Sequence, residues 1–301
     1  MSDLKPLVTI LTITRNRAHI IPRAIESILN QTYTNIEYII VDGASEDNTR
    51  EVVSSYKDSR IKFIALPENG SVIRSTNVGF SQANGEFITF LDDDDEYVET
   101  KIEKQVNLML SLPETYGFVY CWMDYYDDAA NKFLYTHKAE LRGDVGCAVV
   151  ESPVLSGTPT YFFRRNAFEE LGGWREHIGI ISDWELAARA CQHYLVDYVP
   201  ESLVKVHINH GAKRMSDEGF YKGILRKNIK FHIYFLDEFR RVFEAYPKKK
   251  ATHLYTISRS YFLLGEWRMG WRYYKRLLDK DLTLKYLLMP VYCLMHSKSE
   301  A

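Results

Sequence analysis

Four consecutive carboxylates follow a short apolar run in this chain: Phe87-Ile-Thr-Phe-Leu91 leads straight into Asp92-Asp-Asp-Asp95. The Asn84-Gly85 turn opens the run, and the pattern predicts a buried strand over 87–91. Open α/β sheets hold their ligands beyond the C-terminal ends of strands, which is where these acids stand. Adjacent like charges repel, so the cluster needs full solvation or a compensating cation. A hard divalent ion that also holds a diphosphate suits it, since Mg²⁺ takes one or two carboxylates plus phosphate oxygens. The alternative for any isolated acidic run is a solvated turn. A calcium loop is excluded. Asp92, Asp94, Glu96 and Glu103 fall at positions 1, 3, 5 and 12, but Tyr97 replaces the required glycine and a strand, not a helix, precedes.

The segments around this strand alternate regularly. β-Branched Leu7–Thr14 reads as a buried strand, and Ile20, Ile21, Ala24, Ile25, Ile28 and Leu29 then recur at helical spacing. Ile36–Val41 is a second strand, ending at the turn-forming Asp42–Asn48 before a helix to about Tyr56. Ile61–Leu66 is a third strand, and a helix over Ser71–Ala83 leads to the acidic strand. This order predicts an α/β fold with a doubly wound, mostly parallel sheet flanked by helices. Past an amphipathic helix containing Ile102, Val106, Met109 and Leu110, the runs Phe118–Met123 and Lys132–Tyr135 suggest a hairpin. Gly143–Ser156 has little periodicity and reads as a loop, Thr158–Arg164 as extended, with a short helix ending at Leu171-Gly-Gly173. Ser182 suits an N-cap, with Asp183 and Glu185 favouring the first helical turn. Leu203–His207 is another strand. Helices are expected over 219–245, 251–264, 267–279 and 282–296.

The 301 residues allow one large domain with an appendage. Four separated cysteines with no CxxC pair suggest reduced thiols in a cytoplasmic protein. The N-terminus shows no apolar signal region, and no run of about 18 apolar residues predicts a membrane span. The net charge of −2 conceals an asymmetry. Residues 219–301 hold 17 Lys and Arg against 7 Asp and Glu, leaving residues 1–218 strongly acidic and unsuited to nucleic acid. Trp267, Trp271, Tyr273 and Tyr274 interleave with Arg268, Arg272, Lys275 and Arg276. Two readings of these helices stay open: peripheral contact with an anionic membrane, or packing on the core or another subunit of a homo-oligomer.

Several motifs occur in one order: Val8–Asn16, Ser27–Thr32, Ile40–Thr49, Asn77-Val-Gly79, Ala83–Glu86, Phe90–Asp95, Leu171-Gly-Gly-Trp174 and Asp183-Trp-Glu-Leu186. Together they resemble the family 2 glycosyltransferases of GT-A fold, over roughly residues 7–215. The resemblance implies a GT-A domain over 1–215 and a helical C-terminal extension over 216–301. It implies a nucleotide-sugar donor, a Mn²⁺ or Mg²⁺ cofactor, and a glycan or lipid-linked acceptor in surface polysaccharide synthesis. Asp42 is similar to the carboxylate that accepts a hydrogen bond from the base. Asp92 and Asp94 match the D-x-D, the first facing ribose and metal, the second ligating the ion; Asp93 is a donor-side residue, and Asp93 or Asp95 can instead be an ordinary turn residue. Thr12, Thr14 and Arg74 are further donor contacts, and Lys213 or Arg214 reaches a phosphate. His207 or His210 is expected at the metal. Asp183 resembles the catalytic base that deprotonates the acceptor hydroxyl, giving inversion by single displacement.

Two departures matter. Gly43 stands where many relatives have a second Asp, which touches base recognition, and Ser182 stands where many have an acid before the catalytic Asp. A sugar-nucleotide pyrophosphorylase is the nearest enzymatic rival, but Thr12–His19 lacks the glycines of its phosphate loop. A non-catalytic nucleotide-sugar binding or scaffold protein is the rival from another class, and the presence of both the Asp cluster and Asp183 argues against it.

Overall fold

The structure is a computed structural model and describes residues 5–178, 181–211, 221–280 and 283–296. Its described residues divide into two compact units. One holds the chain up to Gly146 and from Val154 to the end of the last strand; the other joins Cys147–Pro153 to the C-terminal helices.

The first unit is built on one mixed sheet. β1 (Val8–Thr14), β2 (Ile36–Asp42) and β3 (Ile61–Ala65) lie parallel, and β4 (Phe87–Phe90) pairs parallel on the other side of β1. The helices between them are α1 (Ile21–Leu29), α2 (Thr49–Ser55) and α3 (Val72–Phe80). Parallel strands need such crossovers, and the apolar runs of β1, β2 and β4 are buried on both faces, while β3 lies at the edge with no fully buried residue. Chain direction around the sheet reverses at β1: β2 and β3 lie to one side, β4 to the other. That makes the C-terminal edge between β1 and β4 a topological switch point.

Beyond β4 the sheet becomes mixed. β5 (Glu96–Tyr97) and α4 (Lys101–Ser111) precede the β6 (Tyr116–Asp127) and β7 (Lys132–His137) hairpin. β8 (Phe162–Arg164) runs antiparallel between β4 and β6, and β9 (Leu195–Ile208) parallel to β6. The spatial order is β3-β2-β1-β4-β8-β6-β9-β5, with β7 on β6. Close packing fixes two glycines: a methyl group on Gly79 would stand 2.9 Å from Val41 Cγ2, and one on Gly85 2.5 Å from the backbone nitrogen of Thr9.

Several boundaries differ from the sequence expectation. The stretch read as a loop contains α5 (Gly146–Glu151), which is too short to show a periodic face. Thr158–Thr160 is a 3₁₀ turn before β8, not extended chain. After α6 (Arg165–Glu170), α7 (Ser182–Ala190) has Ile181 at its N-cap, so Ser182 is the first helical residue and does not cap. β9 starts well before Leu203, and its register on β6 shifts around Cys121 and Trp122, which breaks the expected alternation.

In the second unit, α8 (Tyr221–Glu238) and α9 (Arg240–Ala245) replace one long helix, interrupted at Phe239. α10 (Ala251–Leu263) and α11 (Trp267–Leu278) turn at Gly265, whose φ of +76° favours glycine. The last expected helix is split into α12 (Leu284–Leu287) and α13 (Met289–His296), because Pro290 fits a first turn but not a helix interior. Leu254, Phe262, Tyr274, Leu277, Met289 and Cys293 share a local core.

Candidate active site

The acidic cluster lies immediately past β4, at the switch point. One carboxylate oxygen from each of Asp92, Asp94 and Asp95 lies within 4.8 Å of the others. Asp92 is exposed, while Asp94 and Asp95 are buried. Three hard oxygen donors converging at this spacing fit a divalent cation such as Mn²⁺ or Mg²⁺. Asp93 turns inward beside Arg17 Nη1, 3.9 Å away, and burial pushes its carboxyl up to about 6 against the pull of Arg17.

Neighbouring groups hold the cluster. Arg17 Nη1 lies 3.5 Å from Asp94 Oδ2, and Arg23 Nη2 donates to the Asp94 carbonyl at 2.5 Å. The backbone N–H of His207 donates to Asp95 Oδ1 at 3.0 Å. The two candidate histidines have separate surroundings. His210 Nε2 lies 3.0 Å from Asp94 Oδ2, whereas the His207 ring spans Asp128 Oδ1 (2.5 Å) and Glu96 Oε1 (2.8 Å). Arg23 also pairs with Asp128 at 2.8 Å, tying the β6–β7 turn to α1. A cavity of about 800 Å³ lies beside Arg23 and Asp128, lined also by His19, Glu96, Lys205 and His210 but by none of Asp92–Asp95.

The loops after β1 and β2 are laced together. Asn16 and Ala44 adopt left-handed φ of +53° and +59°. Asn16 accepts from Glu46 N at 2.7 Å and its own N–H donates to Ser45 Oγ at 2.8 Å. Ala18 N donates to Asp47 Oδ2 and Arg17 N to Thr49 Oγ1, both at 3.1 Å. Asp42, at the end of β2, accepts from Ser45 N at 3.1 Å and from the Ser45 hydroxyl. Thr12 is buried in the sheet, donating to Leu91 O at 2.8 Å and accepting from Tyr38 Oη at 3.0 Å. Thr14 is also buried, and its hydroxyl acts on the Asp93 carboxyl, opposing the rise in its pKa. Arg74 lies exposed on α3 against Glu68 at 3.3 Å. Lys213 and Arg214 lie outside the described residues.

Asp183 begins α7. Its Oδ1 accepts from Trp184 N at 2.8 Å, and burial raises its pKa above the ordinary carboxylate value. A methyl group on Gly157 would stand 3.8 Å from Oδ2. Ile181, two residues before, adopts a φ of +64°, a costly conformation for a β-branched residue and of the kind that gathers at functional sites. The Leu171–Trp174 turn is fixed to this helix by Arg189, which donates to Leu171 O and to Gly173 O (2.9 Å) and grips Glu185 at 2.7 and 2.9 Å. Asn77 Nδ2 donates to Trp174 O at 2.9 Å, so motifs about a hundred residues apart meet.

Residues 9–172, more than half of the chain, match the family model described as Glycosyl transferase family 2. The chain belongs to this family. One relative, the putative teichuronic acid biosynthesis glycosyltransferase TuaG of Bacillus subtilis, is 31% identical over 159 residues. That match covers 50% of this chain and 63% of the relative, so the chain spans less than two thirds of it. The fold is shared with S. aureus TarS 1–349 in complex with UDP-GlcNAc, at TM-score 0.66 and 14% identity, over 97% of this chain and 90% of that one. It is shared too with mannosyltransferase PcManGT from Pyrobaculum calidifontis in complex with GDP-Man and Mn²⁺, at TM-score 0.61 and 16% identity, over 99% and 82% of the two chains. The architecture is therefore GT-A.

Sequence reasoning gave no site role to Arg17, Arg23, Glu96 or Asp128, and Asp95 read only as a turn residue. Asp95 had a signal, as the fourth acid of the run. Asp128 had none: it read only as a turn residue of the hairpin.

Proposed function

We propose that this chain is a metal-dependent, inverting glycosyltransferase that moves one sugar from a nucleotide sugar to a glycan or lipid-linked acceptor. The observation that carries the reading is the convergence of Asp92, Asp94 and Asp95 at the switch point of a family 2 domain. In this reading the GT-A domain runs to about residue 215 and the helical extension follows. A UDP-sugar is the donor, a choice supported by the UDP-GlcNAc complex of TarS. The teichuronic acid relative supports a surface-polysaccharide acceptor, and the free cysteines of the described residues are in keeping with a cytoplasmic site.

Asp42 would accept a hydrogen bond from the base, with Thr14 and Arg74 further along the donor. Asp94, with Asp92 and Asp95, would hold Mn²⁺ or Mg²⁺, and His210 stands beside Asp94 as a further nitrogen donor. When bound, the ion neutralises the diphosphate and so improves it as a leaving group. Asp183 takes the proton of the acceptor hydroxyl; the oxygen attacks the anomeric carbon, and the bond to the diphosphate breaks on the opposite face. A carboxylate whose pKa is raised by burial is a stronger base for that proton than a solvated one.

Calorimetry with UDP, in the presence and absence of Mn²⁺, tests the assignment on the parent and Asp94→Ala. Metal-dependent binding in the parent, lost in the variant with the fold intact, is expected. Unchanged metal-dependent affinity in the variant would remove Asp94 from the site. UDP-, GDP- and dTDP-sugars compared for hydrolysis then identify the donor.

A further inference from the structure

The C-terminal unit carries a two-part exposed surface, with Arg259 of α10 lying 5.8 Å from the ring centroid of Tyr292 at its apolar end. α11 turns Gly270, Tyr274 and Leu277 into the local core. Arg268, Trp271, Arg272, Lys275 and Arg276 face outward, at the i, i+3, i+4, i+7, i+8 spacing of one helix face. α11 contains no acidic residue, and its four cations make no ion pair among the described residues. The second part is apolar. Met289 and Cys293 anchor α13 in the core, while Leu287, Leu288, Val291 and Tyr292 are 45–55% exposed. Buried Tyr274 links the two parts: Trp271 packs edge-on against its ring (centroids 5.4 Å), and its Oη donates to Leu287 O at 3.2 Å.

We propose that this face docks on the surface of an anionic phospholipid bilayer. Four exposed large apolar side chains in six residues form a patch of the kind that marks an interaction site. The adjoining charge selects the occupant. A second copy meeting the same face across a twofold axis would bring four cations against four. An anionic bilayer instead offers opposite charge at headgroup level and hydrocarbon just beneath. Trp271 and Tyr292 suit the boundary, and the Lys and Arg stems can lie along it with their charges in water. No helix of the described residues is long and apolar enough to cross a membrane, so the contact is interfacial. The inference stands on the C-terminal unit alone and not on the transferase reading.

The full chain is sedimented, without nucleotide, with vesicles of equal parts phosphatidylglycerol and phosphatidylcholine, and with vesicles of phosphatidylcholine only. Two double variants, Arg272→Glu with Lys275→Glu and Leu288→Glu with Val291→Glu, alter exposed positions, and circular dichroism checks that each keeps its helix. The parent is expected to partition to the mixed vesicles, less so at high salt, and not to the neutral ones. Each basic residue near an anionic surface is worth about fivefold in partitioning, so the charge-reversal variant should bind at least roughly tenfold more weakly. Loss of binding in the apolar variant is expected too. A parent that never sediments, equal binding to neutral vesicles, or variants that bind like the parent would overturn the proposal. So would self-association in sedimentation velocity that both variants abolish, which would give the face to a second copy. Any of these leaves UDP binding, and the reading built on it, to be judged separately.

Discussion

Lys101 lies fully buried beneath the acidic loop, 3.9 Å from the Tyr97 ring centroid and bonded to Gln105 Oε1 (2.7 Å) and Thr89 Oγ1 (3.2 Å). Burial pulls its pKa down from 10.5 to about 7. Between those values the unfolded chain holds a proton that the folded chain has released, so stability rises with pH across that window. Lys101→Met removes this contribution. Urea titrations from pH 7 to 9 should show the parent gaining about 1.4 kcal/mol per pH unit relative to the variant. Parallel curves would mean that Lys101 keeps its proton when folded. At the same scale, Asp183→Asn keeps size and hydrogen bonding but cannot accept the acceptor's proton. kcat should fall roughly 10²–10⁴-fold while UDP affinity holds. A variant within about threefold of the parent, roughly 0.65 kcal/mol on the barrier, would falsify the base assignment. Weakened UDP binding at unaltered kcat would move Asp183 to the donor side.

At the scale of elements, α5 shows how a segment without its own signal becomes ordered. Its six residues, Gly-Cys-Ala-Val-Val-Glu, cannot sustain a helix alone. In the C-terminal unit His253 Nε2–H donates to Val150 O at 2.8 Å and Lys249 pairs with Glu151. Because that carbonyl can only accept, His253 Nδ1 is the acceptor and His232 Nδ1–H donates to it at 2.9 Å. Both rings are buried among Phe231, Phe235 and Phe243, which pushes His232 down to about 3 and His253 to about 4; nearby Glu151 opposes the shift at His253. Below pH 6.5 the unfolded chain binds protons that the folded pair refuses, so stability falls as pH drops toward 4. Each histidine contributes about 1.4 kcal/mol per pH unit within the window. His232→Phe should remove one such share from the difference between urea midpoints at pH 7 and pH 5. An unchanged difference would show that His232 binds its proton equally well in the folded and unfolded chain.

At the scale of the molecule, charge follows the chain: residues 219–301 carry a net +10 and residues 1–218 a net −12. The acidic part contains the cluster whose self-repulsion a cation would relieve, and the basic part carries the proposed bilayer face. The sequence by itself determined the strands β1 to β4, because β-branched runs alternating with 3.6-period helices leave few other arrangements. It also determined the place of Asp92–Asp95, since a strand end next to a switch point is a local property once that alternation is read. The mixed half of the sheet was less legible: the shifted register of β9 on β6 depends on which strand lies alongside. Only the tertiary structure decided that Asn77 binds Trp174, that Asp128 and Glu96 enclose His207, that Asp95 joins the cluster while Asp93 turns inward, and that Cys147–Pro153 belongs with the C-terminal helices. The physical reason is the same in each case. A side chain's hydrogen-bond partner, its burial and hence its charge are set by residues brought close in space from distant parts of the chain, and local spacing carries no record of them.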